Sequence, residues 1–226
     1  MLDLNREISP EIFDDEFYSL IVSVASRPDV MTILEIGSSS GEGSTEAFVT
    51  GMKRNPISPV LFCLEISRSR FAGLMGRYGG DPDVRCYNAS SVPESSFASE
   101  KEVLDFWLKR TSKFSSFPLP LILSWLSQDK AYLQSAGVQE NGIESIKQEN
   151  KIDWFDAVLI DGSEFTGKAE LRAVYGARIL LLDDIDTFKN YENFQRLNYD
   201  PGYELKHENH ILRNGFAMFE RIMDIK

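Results

Sequence analysis

The segment ILEIGSSSGEGST, residues 33–45, constrains the fold of this chain more than any other. Its apolar start ends at Gly37, and Gly41 and Gly43 follow before a Ser-Thr pair opens a helical pattern. Glycine adopts positive φ without steric conflict and allows another backbone or a ligand to approach closely. A buried strand, a glycine turn and a helix in this order are typical of the ligand-binding edge of an α/β sheet. We therefore predict a strand at 32–36 that leads into a ligand loop.

The spacing of the glycines separates two kinds of nucleotide loop. A dinucleotide-binding loop has the pattern G-x-G-x-x-G. Here the pattern is G-x-x-x-G-x-G, and Glu35 stands two residues before the first glycine. An NAD-dependent oxidoreductase therefore stays open as an alternative that the spacing opposes. An ordinary strand-to-helix turn is the structural alternative.

Strands and helices alternate along the rest of the chain, which favours a parallel sheet. An N-terminal helical segment, residues 1–30, contains an amphipathic helix predicted to begin at Pro10 and to end before Arg27-Pro28. Apolar runs predict further strands at 60–64, 84–87, 155–160, 178–182, 203–207 and 216–221. Helical patterns lie at 44–52, 68–78 and 94–109.

The composition narrows the class of protein. A chain of 226 residues with 42% hydrophobic residues is long enough for one α/β domain spanning residues 1–226. Its net charge of −11 and pI near 4.7 repel a phosphate backbone, so we expect no nucleic-acid partner. No apolar run approaches the roughly 18 residues that span a bilayer, and the N-terminus is acidic rather than signal-like. We expect a soluble, cytoplasmic protein without a membrane partner.

Together these motifs resemble those of the class I S-adenosylmethionine-dependent methyltransferases, whose first motif is an acid, one residue and a glycine turn. The resemblance implies a Rossmann-like, seven-stranded, mostly parallel sheet with an antiparallel last strand. In that family the acid after the second strand, here Glu65, accepts hydrogen bonds from the ribose hydroxyls. The residues implied to bind the cofactor are Glu35, Gly37, Ser38, Ser39, Ser40, Gly41, Gly43, Ser44, Thr45, Glu65, Ile66, Asn88, Ala89 and Ser90.

Acidic residues follow two later strands at the points where the strands end. Asp161 ends the run FDAVLID, and Asp183 and Asp184 end the run ARILLLDD. If these strands are neighbours, three carboxylates meet beside the glycine loop and raise one another's pKa unless a cation neutralises them. Oxygen ligands favour Mg²⁺ or Mn²⁺. Successive strand residues point to opposite faces, so Asp183 and Asp184 share an ion only if the strand ends or bends there. The alternative is that one of the two acids caps a loop and the other is solvated.

The arrangement of Asp161 with Asp183 and Asp184 resembles the metal site of divalent-cation-dependent O-methyltransferases of the catechol, macrocin and cephamycin type. The resemblance implies that these three residues bind the metal and that Asp161 also contacts the cofactor. It implies methyl transfer to a hydroxyl of a small molecule, a sugar or a secondary metabolite. Several relatives have a histidine where this chain has Ser163-Glu164, so Glu164 or Lys168 is the predicted general base. Because the usual base is missing, a non-catalytic binding module is a further alternative.

Residues 111–151 interrupt the alternation. A stretch of this length is too long for a plain connection in a compact domain, so we predict an inserted helical segment. Such insertions cap the acceptor pocket in small-molecule methyltransferases, and a dimer interface is the alternative, which makes a homodimer possible. The aromatic residues that would line the pocket, or pack in the core or against a second subunit, are Trp107, Phe114, Phe117 and Trp125.

Overall fold

Seven strands lie side by side in one sheet. This computed structural model describes residues 10–109 and 112–222. The strands are β1 Thr32–Ile36, β2 Val60–Leu64, β3 Val84–Tyr87, β4 Ala157–Ile160, β5 Ile179–Asp183, β6 Tyr203–Asn209 and β7 Phe216–Arg221. Their order is β3-β2-β1-β4-β5-β7-β6; β1 to β5 pair in parallel, and β7 is antiparallel to both of its neighbours. The predicted Rossmann-like sheet with an antiparallel last strand is confirmed.

Eight α-helices lie within the described residues, and two of the predicted helix starts were wrong. The first helix begins at Glu16, where the Asp15 side chain accepts the Tyr18 N–H at 2.8 Å, and not at Pro10. The predicted 94–109 helix is divided: a short 3₁₀ turn precedes a helix that starts after Ser99, whose backbone N–H donates to Glu102. The helices are α1 Glu16–Ala25, α2 Ser44–Met52, α3 Arg68–Tyr78, α4 Glu100–Lys109, α5 Leu119–Ala136, α6 Gly142–Asn150, α7 Gly167–Val174 and α8 Tyr191–Asn198.

Helices cover both faces of the sheet, as buried parallel strands require. Leu34 and Phe62 point to the face covered by α4 to α8, and the neighbouring residues Ile33 and Leu61 point to the face covered by α1 to α3. The strand interiors are therefore fixed by apolar packing on two sides. Polar side chains of a functional site therefore lie at the edge where the parallel strands end.

The inserted segment forms α5 and α6, which lie beside the ends of β2 and β3. The Ser90 N–H donates to the Gln139 carbonyl at 2.8 Å, and the Gly142 N–H donates to the Ser90 carbonyl at 2.7 Å. The Tyr132 hydroxyl on α5 accepts the Arg68 N–H at 3.0 Å. The insertion is thus tied to the strand ends on the side of β3. In the part of the chain that the structure describes, no helix is long and apolar enough to cross a bilayer.

Candidate functional site

Gly37 marks the point where the end of β1 passes closest to the end of β4. Its φ is +92°, and a Cβ at this position would lie 2.1 Å from the Asp161 carbonyl oxygen. The N–H groups of Gly37 and Ser38 both donate to the Leu64 carbonyl, at 2.9 and 3.0 Å. Only glycine fits, because the backbone itself joins β1, β2 and β4 here.

Two further amides of the loop also have partners within the protein. The Ser39 N–H donates to Glu65 Oε2 at 2.8 Å, and the Gly41 N–H donates to the Ser38 carbonyl at 3.0 Å. A Cβ at Gly41 would meet the Tyr78 ring at 2.9 Å. Gly37 and Gly41 therefore serve the close packing of the loop, and the amides of Gly37, Ser38, Ser39 and Gly41 hold it in place.

Glu35 lies beneath the loop. Its side chain is fully buried, and Oε2 accepts the Thr45 hydroxyl at 2.7 Å. Burial raises the pKa of this carboxyl. The acid before the first glycine thus holds the start of α2 against β1 from below.

Two cavities meet at this edge of the sheet and share Gly37, Ser39, Arg70 and Asp161. The inner cavity, about 170 Å³, lies against the ends of β2 and β3, and the acidic cavity, about 240 Å³, lies against the ends of β4 and β5. The predicted cofactor residues that line them are Gly37, Ser38, Ser39, Ser40, Gly43, Ser44, Glu65, Ile66, Ala89, Ser90 and Asp161. Those that line neither cavity are Glu35, Gly41, Thr45 and Asn88.

Glu65 forms part of the inner cavity's wall. Its carboxylate is 4% exposed and accepts the N–H groups of Ser39 at 2.8 Å and Ser67 at 2.6 Å. Burial raises its pKa, and these amide hydrogen bonds oppose the rise. The Asn88 side chain donates to the backbone carbonyls of Glu65 and Ile66 at 2.9 and 3.1 Å, so Asn88 positions this wall from outside the cavity.

Besides Glu65 and Asp161, the inner cavity has a third carboxylate, one that the sequence did not indicate. Asp129, on α5, lines the cavity and accepts the Ser163 hydroxyl. Burial raises the pKa of Asp129, and the charge of Arg70 opposes the rise. None of Trp107, Phe114, Phe117 and Trp125 lines either of the two cavities. The insertion therefore reaches the site through a polar residue, and its roles as acceptor cap or dimer contact stay predictions.

The three acidic residues lie together, as the strand ends predicted. One carboxylate oxygen from each of Asp161, Asp183 and Asp184 lies within 4.8 Å of the others. Strand β5 ends at Asp183, and Asp184 has a φ of +56°, which turns the chain immediately after the strand. This turn brings two consecutive side chains to one edge, which a continuing strand would not do.

A buried lysine lies among these carboxylates. Lys189 Nζ is 2.6 Å from Asp161 Oδ1 and 2.7 Å from Asp184 Oδ2, and its side chain is 8% exposed. Mg²⁺ needs oxygens at about 2.0–2.1 Å in near-octahedral geometry. Because an ammonium already lies between two of the three carboxylates, the residues as arranged do not fit a divalent ion.

A second cation faces the remaining carboxylate. Arg213 Nη2 lies 3.1 Å from Asp183 Oδ1, and the same guanidinium pairs with Asp15. The Asn214 side chain donates to Asp184 Oδ1 at 3.0 Å. One buried cation, Lys189, and one partly buried cation, Arg213, thus oppose the three carboxylates at the strand ends.

Burial and charge shift the ionisation of this cluster in opposite directions. Burial raises the pKa of Asp161 and the charge of Lys189 opposes the rise, whereas burial with the charge of Asp184 raises the pKa of Asp183 to about 6. Burial also opposes ionisation of Asp184, but the charge and hydrogen bond of Lys189 keep its pKa below the ordinary value. Burial disfavours the Lys189 ammonium, yet the charges of Asp161 and Asp184 raise its pKa overall, so it is protonated at neutral pH.

The two predicted bases lie in different surroundings. Glu164 Oε1 accepts the Lys189 backbone N–H at 3.2 Å, and burial raises its pKa to about 7. The Lys168 side chain is 51% exposed and pairs with Glu102 at 3.5 Å and Glu192 at 3.3 Å. Glu164 therefore lies against the loop that carries Lys189 and lines neither cavity, whereas Lys168 belongs to a surface ion-pair group.

Sequence reasoning missed Lys189 and Arg213. Lys189 follows Asp184 by only five residues, and this short spacing was a local signal that the lysine could return to the acids. The buried Asn190 side chain donates to the carbonyls of Ile160 and Asp183 at 2.9 and 2.6 Å, which folds the loop back onto the strand ends. Arg213 comes from the β6–β7 turn, where no local pattern indicates its partner.

No protein-family model matches this chain, and no curated protein matches it. Solved structures do match. A methyltransferase from Podospora anserina with SAH (S-adenosylhomocysteine) bound is 12% identical with a TM-score of 0.54, over 94% of this chain and 81% of that one. An O-methyltransferase from Bacillus cereus in complex with SAH is 12% identical with a TM-score of 0.57, over 94% and 84%. A methyltransferase from Geobacter sulfurreducens is 11% identical with a TM-score of 0.52, over 94% and 81%. The chain therefore has the Rossmann-like fold of these methyltransferases.

Proposed function

We propose that this protein transfers a methyl group from S-adenosylmethionine to a hydroxyl of a small molecule. The observation that carries the proposal is the pair of cavities at the carboxyl edge of a methyltransferase fold, joined at Gly37 and Asp161. One cavity has a buried carboxylate suited to ribose, and the other has charged groups suited to proton transfer. The SAH bound in two structural neighbours supports the choice of cofactor.

The inner cavity would hold the adenosine. Glu65 has its two amide hydrogen bonds and further lone pairs that accept ribose hydroxyls. Ile66 and Ala89 supply apolar surface for the adenine, and Ser90 supplies a polar edge. Asp161 lines both cavities, where the methionine part of S-adenosylmethionine would pass. When bound, S-adenosylmethionine supplies a sulfonium methyl group that a nucleophile attacks.

The acidic cavity would hold the acceptor. Its wall carries charged side chains, with Glu11, Glu42, Arg70 and Lys189 among the lining residues. Such a wall favours a small hydroxylated acceptor over an extended apolar one. Glu164 is the base that we favour, because a carboxyl with a pKa of about 7 is partly ionised at neutral pH and accepts a proton there.

A divalent ion at Asp161, Asp183 and Asp184 stays a prediction from the sequence. We state the proposed function without it, because Lys189 Nζ lies between two of these carboxylates. The homodimer and the cytoplasmic location also stay predictions.

Calorimetry with SAH tests the cofactor. We expect a Kd in the low-micromolar range or tighter, about −8 kcal/mol. A parallel titration with NAD tests the rival class: NAD binding without SAH binding would indicate an oxidoreductase. Binding of neither would indicate a non-catalytic module.

Product formation tests the acceptor class. Release of SAH is measured with a panel of catechols and hydroxylated sugars, and with carboxylic acids and amines as the comparison. We expect turnover with hydroxyl acceptors only. Turnover confined to amines or carboxylic acids would contradict O-methylation while leaving the cofactor assignment intact.

A further inference from the structure

The Lys189 ammonium has the position that a metal ion takes between carboxylates. It bridges Asp161 and Asp184 at 2.6 and 2.7 Å, and the third carboxylate, Asp183, is within the same 4.8 Å group. The bridging oxygens come from the ends of two adjacent strands, β4 and β5. A side-chain cation therefore joins the strand ends that a divalent ion would join.

The lysine is built into the site and is not a surface side chain that reaches in. Its backbone N–H donates to Glu164 Oε1 at 3.2 Å. The next residue, Asn190, is fully buried and donates to the carbonyls of Ile160 and Asp183, which fixes the loop against both strands. Displacing the ammonium would leave the carboxylates of Asp161 and Asp184 without their shared partner.

Lys189 also has the capacity to bind a ligand. An ammonium has three protons. Among the described residues, its hydrogen-bond acceptors are Asp161 and Asp184, so one proton is available to the cavities that it lines. An acceptor oxygen in the acidic cavity is placed to take that hydrogen bond.

We propose that Lys189 replaces the divalent cation: its ammonium holds the acceptor oxygen and stabilises the negative charge that develops there, so the reaction needs no metal. This inference rests on the proposed methyl transfer. In the reaction, the acceptor oxygen forms the bond to the methyl carbon as the carbon–sulfur bond breaks, and the electron pair stays on sulfur to give SAH. The hydroxyl proton passes to the Glu164 carboxylate, and Lys189 keeps its protons throughout.

Titration with Mn²⁺ alone tests the inference without an acceptor. The loss of the EPR signal of the free ion measures Mn²⁺ binding. The wild-type protein is compared with Asp184→Asn, which removes a carboxylate charge and keeps an oxygen for Lys189. We expect the two Mn²⁺ curves to agree within about twofold. Wild-type binding that is tenfold or more tighter than that of Asp184→Asn would overturn the inference, whatever the fate of other variants.

Lys189→Met tests the same inference in the other direction. Removing the ammonium exposes three carboxylates to solvent ions, so we expect Mn²⁺ binding at least tenfold tighter than in the wild type. Lys168→Met is the matched control and should bind Mn²⁺ as the wild type does. If Lys189→Met is folded, by circular dichroism and SAH binding, and gains no Mn²⁺ affinity over the control, the inference is wrong.

Turnover completes the test once an acceptor is known. We expect wild-type activity to be unchanged in EDTA, and Lys189→Met to lose at least a hundredfold in kcat with SAH affinity within threefold of wild type. Wild-type activity abolished by EDTA and restored by Mg²⁺ would overturn the inference and leave methyl transfer established. Absence of SAH binding to the wild-type protein would instead remove the proposed function itself.

Discussion

The two cavities differ in the parts of the protein that hold them together. The inner cavity depends on backbone: Gly37 passes against the Asp161 carbonyl, and the first loop amides bind the Leu64 carbonyl. The acidic cavity depends on charged side chains that arrive from β4, β5, the loop after β5 and the β6–β7 turn. The backbone junction at Gly37 is specified by a short segment of sequence, whereas the cluster of charged side chains is specified only when the whole sheet has formed.

Gly37→Val should have the largest effect, because this residue lies at the boundary of both cavities. A Cβ would lie 2.1 Å from the Asp161 carbonyl oxygen, and φ is +92°. We expect a loss of more than about 3 kcal/mol in the free energy of unfolding, together with loss of SAH binding. Urea denaturation measures the first and calorimetry the second. Gly80→Val, where a Cβ would meet nothing within 4 Å, is the control; equal stability of the two variants would contradict the described junction.

Glu65→Ala and Asp184→Asn should separate the two cavities. Glu65→Ala removes the proposed ribose acceptor, and hydrogen bonds to a charged group contribute about 1.5–3 kcal/mol, so SAH affinity should fall about 10- to 150-fold. Asp184→Asn removes a charge that holds Lys189, so kcat should fall while SAH affinity stays within about threefold. Calorimetry and saturation kinetics on both variants check this. A loss of SAH affinity in Asp184→Asn equal to that in Glu65→Ala would mean that the cavities are one binding unit.

The surroundings of Lys189, where Glu164 accepts the Lys189 backbone N–H, should be the pH-dependent part of the site. The pKa of Glu164 is raised by burial to about 7 from an ordinary 4.5, so between these values the folded protein holds a proton that the unfolded protein has released. The stability that this group contributes therefore falls as the pH rises from about 4.5 to 7. Wild type should lose on the order of 2 kcal/mol relative to Glu164→Gln across that window. Urea midpoints of both proteins at pH 5 and 8 measure it.

The pH dependence of turnover should have the opposite direction to that of stability. As the proposed base, Glu164 would act only when ionised, so kcat should rise through pH 7 in the wild type and show no such rise in Glu164→Gln. A kcat profile that stays unchanged in Glu164→Gln would assign the base elsewhere.

Asp129→Ala should have a smaller effect, confined to the inner cavity. The Asp129 carboxylate accepts a hydrogen bond from the Ser163 hydroxyl, and the residue lines the cavity from α5. We expect a three- to tenfold loss of SAH affinity, consistent with about 1 kcal/mol for one hydrogen-bonding group. Asp129→Asn keeps the shape and an acceptor oxygen, and should lose less. If both variants bind SAH as the wild type does, α5 has no part in the cofactor site.

Lys168→Met should have the smallest effect of all. Its half-exposed side chain pairs with Glu102 and Glu192, and exposed ion pairs contribute roughly 0–1 kcal/mol. We expect kcat and SAH affinity within about twofold of wild type. A tenfold fall in kcat at saturating acceptor would restore Lys168 as a candidate base.

The sequence predicted the sheet well because apolar runs and glycine turns are local signals. The bounds of β1, β2, β3 and β7 agree with the predicted ranges, and the strand ends brought the three carboxylates together as expected. The first helix was misplaced because Asp15 caps it, so that the helix begins at Glu16, six residues after the predicted start. Lys189 and Arg213 were missed because a counter-cation has no sequence period. Their role depends on distances between elements that only the folded chain defines.

Asp184 carries a consequence for protein engineering. Its φ of +56° is a conformation that glycine adopts freely and that aspartate and asparagine tolerate better than most residues. A redesign that scans for left-handed residues and replaces them to gain stability would select this position early. Glycine there would relax the backbone and remove one of the two carboxylates that hold Lys189. Under the proposed role of Lys189, relief of the backbone at position 184 and retention of activity require different residues, so a stabilised variant should keep its aspartate.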